Sequence, residues 1–258
     1  MKLPAFIRLT VRNIVVNVDI GTLTFLLGLP ALYFYVLGMM FQGTINTITL
    51  NGVKTSYISF LAPGIMAMQT LTAGNIGGSL LWSDRRWGMF EQLMVGPFRR
   101  SDYLFGIISI AIIFSIGGSA IVLGFAFSTG TAHFTITWLS ALYLVAGLVL
   151  ASILFTSVFL SLAVVVKTMQ AYNTVTIILF FMLDFASNAF VPITPAVPAV
   201  LREMAAYNPL SAAVTIVRDS LIYGINSNTH IQMLLLALLS AVLFGVSVIL
   251  YRRVRTGS

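Results

Sequence analysis

The distribution of Lys and Arg along this 258-residue chain constrains its fold more than any other feature. Six long apolar stretches divide the chain, and the basic residues cluster on alternate connections between them. Eleven share the side of the N-terminus: Lys2, Arg8, Arg12, Arg85, Arg86, Arg99, Arg100, Lys167, Arg252, Arg253 and Arg255. The other side carries Lys54, Arg202 and Arg218. This positive-inside bias predicts a six-span membrane protein with both ends in the cytoplasm.

The composition supports lipid as the main solvent of the chain. Hydrophobic residues make up 59% of the sequence and charged residues 8%, whereas a soluble domain carries about 25% charged residues. The net charge of +7 therefore marks the cytoplasmic edge of a bilayer rather than a nucleic-acid surface. Cysteine is absent, which excludes disulfides and thiol chemistry.

The apolar stretches predict an all-α fold with one transmembrane domain over residues 1–258. A helix needs about 20 residues to cross the hydrocarbon layer of ~30 Å. The predicted spans lie near 22–41, 57–82, 103–127, 138–166, 171–190 and 232–251. Within the third span, Gly117, Gly118 and Gly124 are candidates for close helix packing.

The N-terminal segment 2–19 is predicted to be an amphipathic helix in the membrane interface. Its apolar residues follow helical spacing, and its polar residues lie largely elsewhere on the helical wheel. Such a helix places its cations near anionic headgroups. Two interpretations stay open: a passive anchor, or a helix that also contacts a cytoplasmic partner.

The connection 83–97 is predicted to be a short helix on the cytoplasmic side. Ser83 or Asp84 is a candidate N-cap, and Gly96-Pro97 is expected to end the helix. One face of the helix is predicted to carry Trp87, Phe90, Leu93 and Met94. A segment that only set topology would need the arginines alone, without a capped helix, aromatic residues and a central Glu91. The pattern therefore favours a protein-docking element.

The segment 191–224 is predicted to be a re-entrant or interfacial helical hairpin before the last span. Prolines at 192, 195 and 198 prevent a continuous helix, and Asn208-Pro209 breaks the helical pattern that follows. Backbone of this kind at membrane depth must be buried in protein. The main alternative is a seventh span, which would place the C-terminal arginines outside.

The sequence predicts no catalytic or metal site. It contains no Gly-x-x-x-x-Gly-Lys-Ser/Thr loop for a nucleotide. Its two histidines, His133 and His230, fall in predicted outside loops without carboxylate neighbours. The chain is therefore expected to be neither an enzyme nor a cofactor-binding protein.

Asp184 is the single acidic residue within a predicted span. An acid at membrane depth is a functional candidate by default. The alternative is a local role, with the carboxylate hydrogen-bonded to Ser187 or Asn188 or reached by water. Asp184, Ser187 and Asn188 are thus a possible intramembrane polar site.

These segments resemble the ABC-2 family of ABC-transporter permeases, and within it the daunorubicin-resistance-type drug exporters. The resemblance covers nearly the whole chain. Its most specific part is Arg86-Trp-Gly-Met-Phe-Glu-Gln-Leu-Met-Val-Gly-Pro-Phe-Arg-Arg, which is similar to a family loop of the form Arg-x-x-Gly-Thr-x-Glu-Gln-Leu…Pro-x-x-Arg. Met89 replaces the usual threonine, and Asp184 replaces a usual apolar residue. Further similar segments are Tyr57-Ile-Ser-Phe-Leu-Ala-Pro-Gly-Ile, Ser187-Asn-Ala-Phe-Val-Pro and Asn208-Pro-Leu-Ser…Arg218.

The resemblance implies the membrane subunit of an ATP-driven exporter in the cell membrane. ATP would bind to an ABC ATPase on a separate chain, and the permease would be a homodimer or a heterodimer with a related permease. The connection 83–97 would be the coupling helix that docks on the ATPase, and 191–224 the outer re-entrant helices. Polar docking contacts are expected from Arg85, Arg86 and Glu91, while Trp87, Phe90 and Leu93 would seat the helix.

The substrate class stays open between drug-like amphiphiles, lipids and glycans, and the apolar composition favours amphiphiles. Two further interpretations belong to other classes of protein. One is a stand-alone channel or ion-coupled carrier that uses Asp184, and the other is a membrane scaffold that transports nothing.

Overall fold

The chain is a helical bundle with one short β-hairpin. The computed structural model describes residues 4–17, 20–42, 48–50, 53–96, 98–130, 132, 134–194 and 197–252. The ends of the predicted interface helix (2, 3, 18 and 19), Pro97, His133, Pro195, Arg253 and Arg255 lie outside the described residues. The all-α prediction is confirmed.

The helices in chain order are α1 (Ala5–Asn17), α2 (Ile20–Leu23), α3 (Leu29–Gln42), α4 (Tyr57–Arg86), α5 (Met89–Val95), α6 (Arg100–Ser128), α7 (Trp138–Val165), α8 (Met169–Phe185), α9 (Ala199–Tyr207), α10 (Pro209–Arg218) and α11 (Ser227–Arg252). Two π-helical segments, Thr24–Gly28 and Asp219–Tyr223, continue α2 into α3 and extend α10. The antiparallel strands β1 (Ile48–Leu50) and β2 (Val53–Thr55) pair with Thr49 opposite Lys54.

A helix coincides with each of the six predicted spans, although the helices differ in length and hydropathy. Within the described residues, α6, α7 and α11 are long and apolar enough to cross a membrane. The segment Pro30–Phe41 and helix α8 are apolar but shorter. The count of six spans therefore stays a prediction.

Helix α4 is the centre of the bundle and is buried along almost its whole length. It packs mainly against α6 and α7. At Gly74 a Cβ atom would lie 2.8 Å from the main chain of Phe155 and Thr156, so only glycine permits this approach of α7. Because protein covers it, α4 also carries polar groups, and Gln69 donates a hydrogen bond of 3.0 Å to the Leu26 carbonyl.

Most of the described close-packing glycines lie on α4, and others are Gly106 of α6 and Gly147 of α7. A Cβ atom added at Gly117 or Gly124 of α6 would have no neighbouring atom within 4 Å. Gly118 alone of the predicted set makes a close contact, with the side chain of Gln69. The expectation for Gly117 and Gly124 is wrong because those two positions face away from the described helices.

Helix α8 ends five residues before the predicted end of the fifth span. Its C-cap is Ala186, and the hydroxyl of Ser187 donates a hydrogen bond of 2.7 Å to the Asp184 carbonyl. The described residues between α8 and α9, 186–194 and 197–198, are not helical. Helix α10 begins at Pro209, where the Asn208 side chain accepts a hydrogen bond from the Leu210 N–H. The re-entrant geometry predicted for 191–224 stays a prediction.

Candidate functional site

The predicted docking element takes the form of a seven-residue helix, α5, joined to α4 by a tight turn. Helix α4 continues through Asp84 to Arg86, and Trp87 is its C-cap. Gly88 then adopts a left-handed conformation (φ 69°) that favours glycine. The helix therefore begins at Met89, and neither Ser83 nor Asp84 is its N-cap. Gly96 follows its last residue, Val95.

Phe90 anchors α5 to the bundle. Its side chain is 2% exposed and makes edge-to-face contacts with Tyr103 (5.3 Å between centroids) and Tyr251 (5.8 Å). The two tyrosine rings stack on each other at 6.3 Å. Aromatic pairs in these geometries contribute beyond their buried area. Phe90 thus connects α5 directly to the start of α6 and the end of α11.

Asp84 joins three helices beside this aromatic cluster. Its carboxylate accepts two hydrogen bonds from the Arg12 guanidinium, at 2.7 and 3.0 Å. It also accepts one of 2.8 Å from the hydroxyl of Tyr103. The hydrogen bond with Asp84 raises the pKa of Arg12, and a two-pronged pair of this kind fixes orientation as well as charge. α1, α4 and α6 are therefore held together at the α5 end.

The six residues predicted for ATPase coupling divide into two groups. Phe90 is buried and Leu93 half-buried in the same apolar cluster, so both hold α5 on the permease itself. Arg85 also binds within the chain, because its guanidinium donates a hydrogen bond of 2.8 Å to the Ala163 carbonyl near the end of α7. The remaining residues, Arg86, Trp87 and Glu91, are exposed.

Trp87 is the main departure from the predicted face. Its side chain is 77% exposed, whereas the sequence placed it beside Phe90. The helical spacing used to predict that face does not apply, because the Gly88 turn separates Trp87 from α5. Trp87 therefore does not seat α5 on the bundle.

The partners of the aromatic anchor were not visible in the sequence. Tyr103, Tyr251 and the Arg12–Asp84 pair lie up to 161 residues from Phe90 in the chain, on separate helices. The one sequence feature that could have indicated this ion pair was Asp84, a carboxylate at the edge of a predicted span with basic residues nearby.

At the opposite end of the bundle, Asp184 occupies the last turn of α8. Its side chain is 6% exposed, and its Oδ1 atom has no hydrogen-bond partner. Ser187 donates instead to the main-chain carbonyl of Asp184, and the Asn188 amide donates to the hydroxyl of Thr215 at 3.1 Å. The predicted hydrogen bond from Ser187 or Asn188 to the Asp184 carboxylate is therefore wrong.

Asp184 lines an apolar cavity of about 510 Å³. Its wall combines aliphatic side chains with the aromatic side chains of Tyr33, Phe41, Tyr57, Phe185 and Phe190. A cavity of this size and character is typical of a small-molecule site with few polar groups. Within the described residues, no three His, Asp or Glu side chains come together as metal ligands would.

Comparison with known families agrees with this architecture. The model of the ABC-2 type transporter family matches residues 4–222, from α1 into the second π-helical segment. No curated protein matches the chain. From this match over most of its length, the chain belongs to the ABC-2 type transporter family, which implies a permease component of an ABC transporter in partnership with an ABC ATPase subunit.

Proposed function

We propose that this chain is the membrane subunit of an ATP-driven exporter and that α5 is the element on which the ATPase docks. The observation that carries the proposal is the two-sided character of α5 and the turn that precedes it. Phe90 fixes one side to the bundle, while Arg86, Trp87 and Glu91 are exposed at the same end. A helix held this way can pass a displacement of its partner to the spans.

The path of that displacement follows from the contacts of Phe90. Movement of α5 presses on Tyr103 of α6 and Tyr251 of α11, and Tyr103 is tied to α4 and α1 through Asp84. Four helices would therefore respond together to closure of the ATPases. The chain itself is not expected to be an enzyme.

The exposed residues have chemistry suited to a protein interface. Trp and Arg are enriched among the residues that dominate interface energies. Trp87 offers a large exposed apolar surface next to Arg86 in the chain, and Glu91 adds an exposed carboxylate on α5. A charged contact of this kind contributes a few kcal/mol where it is buried and little at a rim.

The topology and assembly of the proposed exporter follow the charge pattern. Both termini and α5 would be cytoplasmic, and the β-hairpin and residues 191–224 would be on the outer side of the plasma membrane. Two permease chains, identical or related, would enclose the pathway. The apolar, aromatic cavity beside Asp184 favours an amphiphilic or drug-like substrate over a glycan, which also agrees with the daunorubicin-resistance-type resemblance.

The decisive experiment is association of the permease with its ABC ATPase. Glu91→Ala should preserve expression and folding but weaken co-purification with the ATPase or uncouple ATP hydrolysis from substrate flux. Glu203→Ala is the matched control, because Glu203 is an exposed glutamate on α9 at the opposite end. Equal association and flux in wild type and Glu91→Ala would reject α5 as the docking element.

A second experiment tests the topology. The cysteine-free chain accepts single cysteines at exposed positions, so Gln92→Cys should react with a membrane-impermeant maleimide only from the cytoplasmic side. Asn228→Cys should react from the outside. Labelling of Gln92→Cys from the outside would contradict the six-span arrangement.

A further inference from the structure

A second cavity lies at the end of the bundle opposite α5, and its wall is polar. Its volume is about 480 Å³. It lies between the start of α4, the segment after α8 and the second π-helical segment. Its lining includes Phe60, Asn188, Ile193, Arg218, Asp219 and Tyr223. The coupling function proposed for the α5 end makes no use of these residues.

Arg218 brings a buried positive charge to this cavity. The side chain is 5% exposed, and its guanidinium lies 3.8 Å from the centre of the Phe60 ring. Its Nη2 donates a hydrogen bond of 2.9 Å to the Asn188 carbonyl, but its Nε has no partner. Among the described residues, the one ion pair within 4.0 Å joins Arg12 to Asp84. The charge of Arg218 therefore has carbonyl and aromatic neighbours but no paired carboxylate.

Asp219 brings the opposite charge to the same wall. It is 4% exposed, and its Oδ2 accepts a hydrogen bond of 2.7 Å from the hydroxyl of Thr229. It is adjacent to Arg218 in sequence, yet the two side chains form no ion pair within 4.0 Å in the described structure. The cavity thus presents one positive and one negative group that are not joined in an ion pair within 4.0 Å.

Two more buried polar atoms on this wall lack a partner. They are the hydroxyl of Tyr223 and the Oδ1 atom of Asn188. Buried polar groups are almost always hydrogen-bonded to protein, water or ligand. Water can form hydrogen bonds with Arg218 Nε, Tyr223 and Asn188. A water molecule is uncharged, however, and therefore cannot form an ion pair with Arg218 or Asp219.

We propose that this cavity binds a zwitterionic group in which an oxyanion and an ammonium are a few bonds apart, as in phosphoethanolamine. The oxyanion would accept hydrogen bonds from Arg218 Nε and the Tyr223 hydroxyl. The ammonium would donate to Asp219 and to Asn188 Oδ1. A neutral sugar leaves both protein charges unmatched, and inorganic phosphate matches Arg218 but is repelled by Asp219.

The neighbouring apolar cavity extends this site for a ligand with a tail. Ile193 lines both the polar cavity and the cavity beside Asp184. A headgroup in the polar cavity therefore lies next to a wall of aromatic side chains that suits an acyl or other apolar chain. The site needs neither the ATPase nor transport to be tested, so failure of the coupling proposal leaves it intact.

Binding is measured on the full-length permease in phospholipid-free detergent, by thermal unfolding and calorimetry. The probes are phosphoethanolamine, inorganic phosphate, ethanolamine and glucose. Phosphoethanolamine should raise the melting temperature in a concentration-dependent way, and the other three should raise it less at equal concentration. An equal shift with phosphate or glucose, or no shift with any probe, would overturn the zwitterion assignment.

Three variants test the roles of the wall residues. Tyr223→Phe removes one hydroxyl that has no protein partner, so the protein should stay folded while affinity for phosphoethanolamine falls about tenfold. Tyr207→Phe is the matched control because Tyr207 is 88% exposed and should bind as wild type. Asp219→Asn keeps an oxygen for Thr229 but removes the charge, so the preference for phosphoethanolamine over phosphate should disappear. Unchanged affinity in Tyr223→Phe and unchanged preference in Asp219→Asn would contradict the site.

The zwitterion can come from a free metabolite or from a lipid headgroup, and one comparison separates them. Micelles doped with phosphatidylethanolamine or phosphatidylglycerol are added to the same protein, and bound lipid is detected by native mass spectrometry. Selective retention of phosphatidylethanolamine, lost in Tyr223→Phe, supports a lipid headgroup. Binding of free phosphoethanolamine without lipid retention supports a soluble ligand. Retention of phosphatidylglycerol at the same level would reject the proposed charge recognition.

Discussion

The two ends of the bundle differ in how their buried charged side chains are hydrogen-bonded. At the α5 end, Asp84 is paired with Arg12 and hydrogen-bonded to Tyr103. At the other end, Asp184, Arg218 and Asn188 each retain an atom without a partner, next to cavities of about 510 and 480 Å³. The Asp84 carboxylate thus has its partners within the chain, whereas unsatisfied groups beside open space are suited to a ligand.

The largest expected effect comes from opening the network at the α5 end. Asp84→Ala leaves Arg12 and Tyr103 without their partner, so the free energy of unfolding should fall by about 3 kcal/mol. The loss is measured by denaturant or thermal unfolding of the purified protein.

Asp102→Ala is the matched control for that variant. The Asp102 carboxylate accepts a hydrogen bond from the Arg99 N–H at the start of α6, and loss of such a cap costs about 1 kcal/mol. Equal destabilisation by the two substitutions would show that the Arg12–Asp84 pair contributes no more than an ordinary helix cap.

A smaller effect is expected from removing the anchor of α5. Phe90→Ala should cost about 2 kcal/mol, below the roughly 3–5 kcal/mol of an interior phenylalanine, because a short surface helix can detach on its own. Limited proteolysis should then cut between residues 87 and 96 while the rest of the bundle resists. Phe90→Leu keeps an apolar anchor and should remain resistant; equal cleavage of the two variants would remove the special role of the ring.

At the end with the cavities, a substitution that removes a buried charge should raise stability rather than lower it. Asp184→Leu removes a buried carboxyl group whose Oδ1 has no partner, so stability should rise by up to about 1 kcal/mol. A hydrogen bond from Ser187 or Asn188 to the carboxylate, the local role considered from the sequence, would make leucine destabilising, but both residues bond to other atoms. A loss of stability in Asp184→Leu would indicate an interaction of the carboxylate with a ligand or a second permease chain.

Asp184→Asn separates the ATP-driven exporter from the ion-coupled carrier. The amide has nearly the shape of the carboxyl group but does not titrate, so flux should persist if the energy comes from ATP. Substrate flux is measured in vesicles with protein amount and ATPase binding verified. Loss of flux with both of those normal would favour the ion-coupled carrier.

The smallest effect on stability is expected at Trp87. Because its side chain is 77% exposed, Trp87→Ala should change the free energy of unfolding by less than about 0.5 kcal/mol. ATPase association should nevertheless weaken. Trp138→Ala, at an equally exposed tryptophan of the opposite end, should leave association unchanged, and a similar loss in both variants would assign the effect to non-specific exposure.

The parts of the fold that depend on local composition were predictable from the sequence. The ends of α6 and α7 lie within three residues of the predicted ones, because long apolar runs end sharply at polar residues. Met169–Phe185 was predicted too long, since Ala186 to Phe190 are apolar enough to resemble a continuing helix. Their backbone instead turns to place Asn188 and Ala189 against Arg218.

The parts that depend on contacts between distant residues were not predictable. Aspartate is a common N-cap residue, but the carboxylate of Asp84 instead accepts a hydrogen bond from Arg12, which lies 72 positions earlier. Periodicity placed Trp87 with Phe90, and the left-handed Gly88 between them separates the two. For the cavities, sequence identified Asp184 by its charge, while the joint position of Arg218, Asp219 and Tyr223 required the three-dimensional arrangement.

The burial of α4 has a consequence for how the chain is made. The ribosome synthesises α4 before α6 and α7, the two helices that cover most of it. Until they follow, the narrow surface around Gly74 faces lipid or the insertion machinery rather than protein. Delayed synthesis of α7 should therefore prolong the exposure of α4, and substitutions that enlarge Gly74 should act first on biogenesis, as reduced amounts of inserted protein.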